Sequence, residues 1–367
     1  MSRREPPVGG RKDGLDVHLT IAMLTYRRNE YLAQVIPQLL EQADDVSGPD
    51  TTAGVLIVDN DPQAGARAVV EAARAALGSD PAESPEPLGE DDSAVSALTS
   101  RLVYVHEPEP GIVAGRNRAL SEARGSDALV FIDDDEIPSP GWLASLVSTW
   151  RSQECAAVTG PTPPTFEATP SPWVTASGAF DSWEAADGAQ VRSADTGNLL
   201  LDLGVVERLG LRFDPRYGLT GGEDSLFTRQ LTRAGGVIRF AAGAVVTKRV
   251  PAARARRTWV LERSLRSGSS WARVRIDTAG PTDGALGGLA RLRLRLGYGV
   301  KGLAKAGVDG ARAGVARIRG DVPAQARYEV SSRGGLGMVV GALGGHVREY
   351  SRPRSRRNAT QAGRTGA

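Results

Sequence analysis

The chain has 367 residues, which suits one large α/β domain with an appendage or two modest domains. Hydrophobic residues make up 41%, enough for a sizeable core, and the single cysteine, Cys155, excludes an internal disulfide framework and favours a reducing compartment. The first 16 residues are charged and lack an apolar run, so we expect a disordered lead-in without a secretory signal. Since no apolar stretch is long enough, we expect no membrane-spanning helix.

The net charge of +2 hides a strong asymmetry along the chain. From Pro251 to the end there are 23 Lys and Arg against 7 Asp and Glu, so the preceding part of the chain is acidic. An acidic body with a basic tail indicates that the tail meets something anionic. A membrane surface, a lipid phosphate, nucleic acid and the body itself are the candidates.

The first half of the chain alternates predicted strands with predicted helices. Apolar runs predict strands, and apolar residues at helical spacing predict helices. This order indicates parallel strands covered on both faces. Residues 78–100 interrupt it with acids and prolines, and we expect a loop insertion there. The predicted strands are Val17–Leu24, Val55–Val58 and Leu102–His106, and the predicted helices are Glu30–Gln42, Ala64–Leu77 and Gly111–Ala123.

The next apolar strand, Ala128–Ile132, ends in four consecutive acids, Asp133–Glu136. Pro138 and Pro140 follow and are expected to stop the strand. Carboxylates this close repel one another, so the fold needs a cation or solvent beside them. Mg²⁺ and Mn²⁺ prefer carboxylate oxygens and often bring phosphate oxygens with them. A solvated acidic turn is the alternative interpretation.

The remaining part of the body predicts a second half of the sheet. A helix near Trp142–Trp150 is followed by further strands and an irregular, proline-rich segment. A glycine pair and an acidic pair, Gly221–Asp224, open another helix. The predicted elements are the strands Ala156–Thr159, Asp195–Leu201 and Val237–Val246, the irregular segment Pro161–Pro172 and the helix Ser225–Ala234.

Six short motifs stand in a fixed order along the chain: Thr25–Arg28, Val58–Asp61, Gly111–Asn117, Asp133–Asp135, Thr196–Asn198 and Gly222–Asp224. They resemble those of the family-2 glycosyltransferases with the GT-A fold. The resemblance runs from about Leu19 to Trp271 and implies a Rossmann-like α/β domain with a mostly parallel central sheet flanked by helices. It also implies inverting transfer of a sugar from a nucleoside-diphosphate sugar to an acceptor hydroxyl, in polysaccharide, glycolipid or glycoconjugate assembly.

On the donor side, the resemblance assigns a role to each nucleotide-binding residue. Thr25, Tyr26 and Arg27 would line the base and the ribose, although an ordinary strand-to-helix turn is the alternative. Asp59 would accept an N–H of the base, unless it only caps the following helix. Arg116, at the start of a helix, would hold a phosphate or Asp135.

The resemblance also assigns the metal and the catalytic residues. Asp135 would bind Mg²⁺ or Mn²⁺ directly, while Asp133 shares the ion or, with Asp134, holds the ribose or a metal-bound water. Asp224 would be the general base, and Glu223 would orient the acceptor or its loop. The alternative is that this acidic pair only stabilises the first turn of its helix.

One position departs from the family pattern. Many relatives carry a histidine after the strand that follows the acidic pair, and this chain has Lys248 there. A lysine can replace the charge of a histidine but is not a usual metal ligand. The composition of the metal shell therefore remains open.

The C-terminal part predicts a basic helical appendage at 276–350 after a glycosyltransferase domain at 17–275, with a disordered basic tail at 351–367. Apolar residues recur on one helical face among arginines and lysines, which is typical of helices that lie on anionic membranes. Packing of this segment on the acidic body is the alternative. The apolar positions are Leu289, Leu292, Leu296, Val300 and Leu303.

Together these features predict a cytoplasmic enzyme, peripheral at the inner face of a membrane, with a saccharide or a lipid-linked acceptor. We expect no nucleic-acid partner, because no aromatic residues interleave the basic ones. A catalytically silent scaffold with the same fold is one alternative. A nucleotidyltransferase is another, although the turn Thr25–Asn29 lacks the glycine-rich loop of that class.

Overall fold

A computed structural model describes residues 16–78, 101–218, 220–280, 286–345 and 347. The predicted lead-in, acidic insertion and basic tail lie outside these residues, apart from positions 16 and 78 at their edges.

The body is built on an eight-stranded mixed sheet. Its strands are β1 (Val17–Thr25), β2 (Thr51–Asp59), β3 (Leu102–His106), β4 (Ala128–Asp133), β6 (Ala157–Thr159), β8 (Gln190–Val191), β9 (Asn198–Asp202) and β10 (Ile238–Phe240). They lie in the order β3-β2-β1-β4-β9-β6-β10-β8. The half formed by β3, β2, β1 and β4 is parallel, as predicted, whereas β9 runs antiparallel to both neighbours.

A second sheet of three short strands corrects the predictions around the acidic turn. It contains β5 (Glu136–Pro138), β7 (Pro164–Phe166) and β11 (Val246–Val250), in the order β5-β11-β7. β4 ends at Asp133, before the prolines, as predicted, and the chain then forms the separate edge strand β5, where Pro138 is tolerated. The segment predicted as irregular contains β7, and the single strand predicted at Val237–Val246 is divided between β10 and β11.

Helices cover both faces of the large sheet. On one face, Leu32 and Ile36 of the first helix pack with Trp142. On the other, Phe131 packs with Phe213 and Phe227. Burial on both faces explains why the parallel strands are continuously apolar. The helices are α1 (Asn29–Val46), α2 (Arg67–Ala76), α3 (Ile112–Glu122), α4 (Trp142–Ser152), α5 (Pro172–Ala176), α6 (Leu203–Arg208) and α7 (Glu223–Arg233).

The pairing of the strands brings their polar ends to one edge. Thr25 at the end of β1 lies opposite Asp59 at the end of β2, and Leu24 lies opposite Asp133 of β4. In open α/β sheets this carboxyl edge is where ligands bind.

Three long helices end the described chain: α8 (Arg257–Asp277), α9 (Gly288–Ile318) and α10 (Val322–Ala342). A β-carbon on Gly337 would lie 2.1 Å from the carbonyl oxygen of Leu265, so α10 and α8 can approach this closely only because glycine is there. Gly302 of α9 meets the backbone of Gly335 in the same way. Within the described residues, no helix is both long and apolar enough to cross a membrane.

Candidate active site

The turn between β1 and α1 carries the first motif in a strained backbone conformation. Arg27 has a φ of 57°, in the left-handed region that residues other than glycine rarely adopt. Its guanidinium lies 5.2 Å from the centre of the Tyr26 ring, and its Nε donates to Asp61 over 3.2 Å. Strain of this kind is concentrated at functional sites, which makes Arg27 a strong candidate for ligand contact.

A cleft of about 860 Å³ opens beside this turn, within the size range of small-molecule sites. Its lining contains cationic, acidic and aromatic side chains suited to a polar ligand. The lining residues are Arg27, Arg28, Asn29, Glu30, Tyr31, Asp61 and Gln63.

Asp59 is fully buried at the end of β2 and its carboxylate is well satisfied. It accepts the backbone N–H groups of Asp61 and Ala66, both over 2.9 Å, and the hydroxyl of Tyr104 over 3.0 Å. Burial and the Asp59 carboxylate raise the pKa of Tyr104, so the phenol keeps its proton. Asp59 thus shapes the loop before α2, and its recognition of a base remains a prediction.

The acidic turn brings the predicted pair Asp133 and Asp135 together with Glu136. Asp133, Asp135 and Glu136 each offer an oxygen within 4.8 Å of the others. Glu136 is nearly inaccessible to solvent, and its carboxylate accepts the backbone N–H of Asp133 over 3.2 Å. A β-carbon on Gly197 would lie 2.5 Å from Glu136 Oε1, so the glycine of the fifth motif leaves room for this carboxylate.

Lys248 lies among these three carboxylates. Its Nζ is 2.9 Å from Glu136, 3.3 Å from Asp133 and 3.7 Å from Asp135. The pairing of β11 with β5 sets this geometry, because Lys248 lies directly opposite Glu136. The carboxylates suit a hard cation by their chemistry, but an ammonium already lies beside the same oxygens.

The protonation of the cluster follows from burial and from mutual charge. Burial, with Asp133 and Asp135 nearby, raises the pKa of Glu136 to about 8 despite Lys248. Burial would also raise the pKa of Asp133, but Lys248 and Arg116 outweigh it and hold that pKa below its usual value. Burial disfavours the charge of Lys248, yet Glu136, Asp133 and Asp135 raise its pKa well above the usual value.

Two arginines complete the neutralisation of the acidic turn. Arg28 Nη1 lies 2.5 Å from Asp134 and 3.0 Å from Asp135, and Arg254 donates to Asp135 over 3.0 Å. Asp134 also accepts the hydroxyl of Thr25 over 3.1 Å. Burial raises the pKa of Asp134 to about 6 even though Arg28 opposes that rise.

Arg116 of α3 forms a salt bridge with Glu223 at the start of α7, and both side chains are only 5% exposed. The prediction placed Arg116 beside a phosphate or Asp135, and the structure joins it to the acceptor-side acidic pair. Gly222 precedes this pair with a φ of 90°, and a β-carbon there would lie 2.8 Å from Ser270 of α8. Glycine is therefore required at the entry to α7.

Asp224, the predicted base, is half-buried in the first turn of α7. It has a carboxylate neighbour that the sequence analysis missed. Asp195 is exposed, and the charge of Asp224 raises the pKa of Asp195 to about 6. The negative charge that raises the pKa of Asp195 belongs to Asp224, and a charged carboxylate can accept a proton from a hydroxyl.

Comparison with known proteins decides the family. Residues 20–178 match the family model for Glycosyl transferase family 2. The chain is also 32% identical over 264 residues to the succinoglycan biosynthesis protein ExoM of Rhizobium meliloti (strain 1021), covering 72% of this chain and 77% of that protein. The chain belongs to glycosyl transferase family 2.

A solved structure agrees with the fold of this glycosyltransferase. The mannosyltransferase PcManGT from Pyrobaculum calidifontis, in complex with GDP-Man and Mn²⁺, matches 90% of this chain and 89% of its own, with a TM-score of 0.50 and 16% identity. The crystal structure of S. aureus TarS matches 76% of this chain with a TM-score of 0.46 and 13% identity. The match covers 42% of the TarS chain, less than half its length.

The sequence of this family-2 glycosyltransferase predicted some residues of the candidate site and missed others. Glu136 was noted only as the fourth acid of its run, and Arg254 and Asp195 were not proposed. Arg254 lies in a loop after β11, and nothing in its local sequence indicates that it reaches Asp135. The departure at Lys248 was the one signal that pointed to this part of the site.

Proposed function

We propose that this glycosyltransferase moves a sugar from a nucleoside-diphosphate sugar to an acceptor hydroxyl with inversion at the anomeric carbon. The observation that carries the proposal is the convergence at one sheet edge of the cleft beside Arg27, the acidic turn at Asp133–Glu136 and the Asp195–Asp224 pair. In this proposal the cleft receives the nucleoside, the acidic turn faces the diphosphate and the Asp195–Asp224 pair faces the acceptor.

The transfer needs a base for the acceptor and positive charge for the leaving group. Asp224 takes the proton of the attacking hydroxyl, while the bond between the anomeric carbon and the diphosphate oxygen breaks and leaves its electron pair on the diphosphate. Charge must then be offset at the diphosphate. The sequence predicts Mg²⁺ or Mn²⁺ on Asp133 and Asp135 for this purpose, and Lys248, Arg254 and Arg28 offer charge from the chain itself.

Glu223 acts in this proposal through position rather than through proton transfer. Its carboxylate is buried against Arg116, so it fixes the first turn of α7 and thereby the direction of Asp224. The role assigned to it from the sequence, orienting the acceptor loop, is consistent with this contact.

The acceptor in this proposal is a saccharide or a lipid-linked saccharide in polysaccharide assembly. The relative named for succinoglycan biosynthesis supports this substrate class, and PcManGT, which was solved with GDP-Man and Mn²⁺, supports a nucleotide-sugar donor.

We also propose that α9 lies on an anionic membrane surface. One face of α9 packs on α10, while the opposite face exposes five apolar side chains to solvent. Exposed basic residues such as Arg293 and Lys301 flank them and complement anionic lipid headgroups. The apolar residues are Leu289, Leu292, Leu296, Val300 and Leu303, each more than half exposed.

Sedimentation with vesicles tests the membrane proposal. Vesicles rich in phosphatidylserine should pellet the wild type, neutral vesicles should pellet much less of it, and Leu296→Glu should weaken the binding. Ala33→Glu is the control, because it adds the same charge at an exposed position of α1, away from α9. Equal binding of Leu296→Glu and the wild type would show that this face does not touch lipid.

A transfer assay tests the proposed reaction. Nucleotide sugars are supplied in turn with short saccharide acceptors, and release of the nucleoside diphosphate is measured. Asp224→Asn should lower kcat by about 10²–10⁴-fold, the usual contribution of a general base. Asp45→Asn, on the exposed face of α1, should leave it unchanged. Retained turnover in Asp224→Asn would remove Asp224 from the base role.

A further inference from the structure

The position of Lys248 bears on which cation this site uses. The three carboxylates that could hold a divalent ion, Asp133, Asp135 and Glu136, are the same three that surround its Nζ within 4 Å. A divalent ion bound by these oxygens would occupy the space of the ammonium and repel its charge. The site as the chain builds it therefore fits Lys248 and does not fit an added ion beside it.

Asp135, the residue predicted to bind the metal directly, has cationic neighbours on both oxygens. Arg28 and Arg254 each lie 3.0 Å from Oδ2, and Lys248 lies 3.7 Å from Oδ1. Its side chain is only 5% exposed. A metal would have to displace these partners before it could use this carboxylate.

The backbone holds Lys248 in place. β11 lies between β5 and β7, so Lys248 is paired with Glu136 on one side and with Pro164 on the other. The next residue, Arg249, donates its backbone N–H to the carbonyl of Asp135 over 2.8 Å. The Lys248 side chain is still 33% exposed, so solvent reaches this residue while its ammonium contacts the cluster.

We propose that Lys248 is the resident cation of this site and that, with Arg254, it takes the place of a divalent metal in offsetting the charge of the departing diphosphate. The inference rests on the proposed function for its role in transfer, but the occupancy of the cluster by Lys248 stands independently. Lys248 keeps its proton throughout. The electron pair of the broken bond goes to the diphosphate oxygen, and the acceptor proton goes to Asp224.

Direct Mn²⁺ binding tests the occupancy without any need for turnover. Electron paramagnetic resonance would follow free Mn²⁺ during titration of the wild type, of Lys248→His and of the control Lys301→His, which alters an exposed lysine on α9. The wild type and the control should bind Mn²⁺ only weakly. Lys248→His removes the fixed charge and adds a ligand, so it should gain affinity by about tenfold or more.

Measurements of turnover and of nucleotide binding are the second test of this proposal. Wild-type transfer should be unchanged in EDTA, and Lys248→Met should lose kcat/KM in EDTA and regain part of it with Mn²⁺. Tight binding of one Mn²⁺ by the wild type, or wild-type activity that EDTA abolishes and Mn²⁺ restores, would overturn the inference. If folded wild type neither binds nucleotides nor transfers sugar with any cation, the proposed function fails, and the Mn²⁺ titration still decides what occupies the cluster.

Discussion

Arg116 and Glu223 form a buried salt bridge that joins helix α3 to the first turn of α7, although 107 positions separate them. The bridge links the motif proposed to bind the donor to the motif proposed to face the acceptor. It also places a cation close enough to lower the pKa of Asp133. The two motifs that appear separate in the sequence therefore form one buried unit.

Breaking this bridge should destabilise the fold. Arg116→Met leaves the Glu223 charge buried without its counter-charge, and such losses are typically about 3–5 kcal/mol. The midpoint of urea unfolding would measure the effect. The double variant Arg116→Met/Glu223→Gln should lose less free energy of unfolding than the two single variants lose together. If the losses of the single variants simply add, the two residues are not coupled.

The strained backbone at Arg27 predicts a separation of stability from binding. Arg27→Ala and Arg27→Gly both remove the guanidinium, so both should weaken nucleotide binding to a similar degree. Only glycine relieves the left-handed strain, so the glycine variant should be more stable than the alanine variant by about 1 kcal/mol. Thermal unfolding and nucleotide titration measure the two effects, and equal stability of the variants would argue against strain at this turn.

The Asp195–Asp224 pair predicts how Asp195 responds to the loss of its neighbour's charge. The charge of Asp224 raises the pKa of Asp195 to about 6, so Asp195 retains a proton below that pH. In Asp224→Asn that charge is absent, so the pKa of Asp195 should fall towards the usual range of a carboxyl group. Titration of the carboxyl carbons by nuclear magnetic resonance measures the change.

Asp45→Asn, which removes an exposed carboxylate of α1, is the control and should leave the pKa of Asp195 near 6. An unchanged pKa of Asp195 in Asp224→Asn would show that the two carboxylates do not interact.

The close contact between α8 and α10 predicts that position 337 tolerates no side chain larger than that of glycine. Gly337→Ala would place a methyl group 2.1 Å from the Leu265 carbonyl oxygen, and overpacking of this kind costs about 1–3 kcal/mol. Gly314→Ala, on α9 with nothing within 4 Å, is the matched control and should gain about 0.5–1 kcal/mol from helix propensity. Differential scanning calorimetry would compare them, and a stabilised Gly337→Ala would contradict the close approach of the helices.

The sequence predicted the parallel half of the sheet well because its signals are local. The strand Leu102–His106 was predicted with its observed bounds, and the first helix differs by one residue at its start and four at its end. β2 and β4 end where apolar residues give way to aspartates, and β1 ends where they give way to Thr25, Tyr26 and Arg27, so the polar edge of the sheet could also be predicted from the sequence.

The rest of the site depends on contacts between distant positions, which local patterns do not encode. Glu136 meets Lys248 only because β5 pairs with β11, and nothing in the local sequence indicates that pairing. Asp195 lies near Asp224 because the segment before β9 meets α7, where the backbone N–H of Ala194 donates to the hydroxyl of Thr228 over 3.5 Å. The antiparallel direction of β9 also depends on distant contacts, because an apolar run predicts a strand but does not indicate its direction.

Thermal unfolding with a panel of nucleoside diphosphates tests the central claim, that this carboxyl edge binds the diphosphate of a sugar donor. A ligand that binds only the native state raises the melting temperature by mass action. We expect one nucleotide base to raise it by several degrees, in EDTA as well as with Mn²⁺, and Arg27→Ala to reduce the rise. No rise with any nucleoside diphosphate under either condition, in protein shown to be folded, would contradict the account.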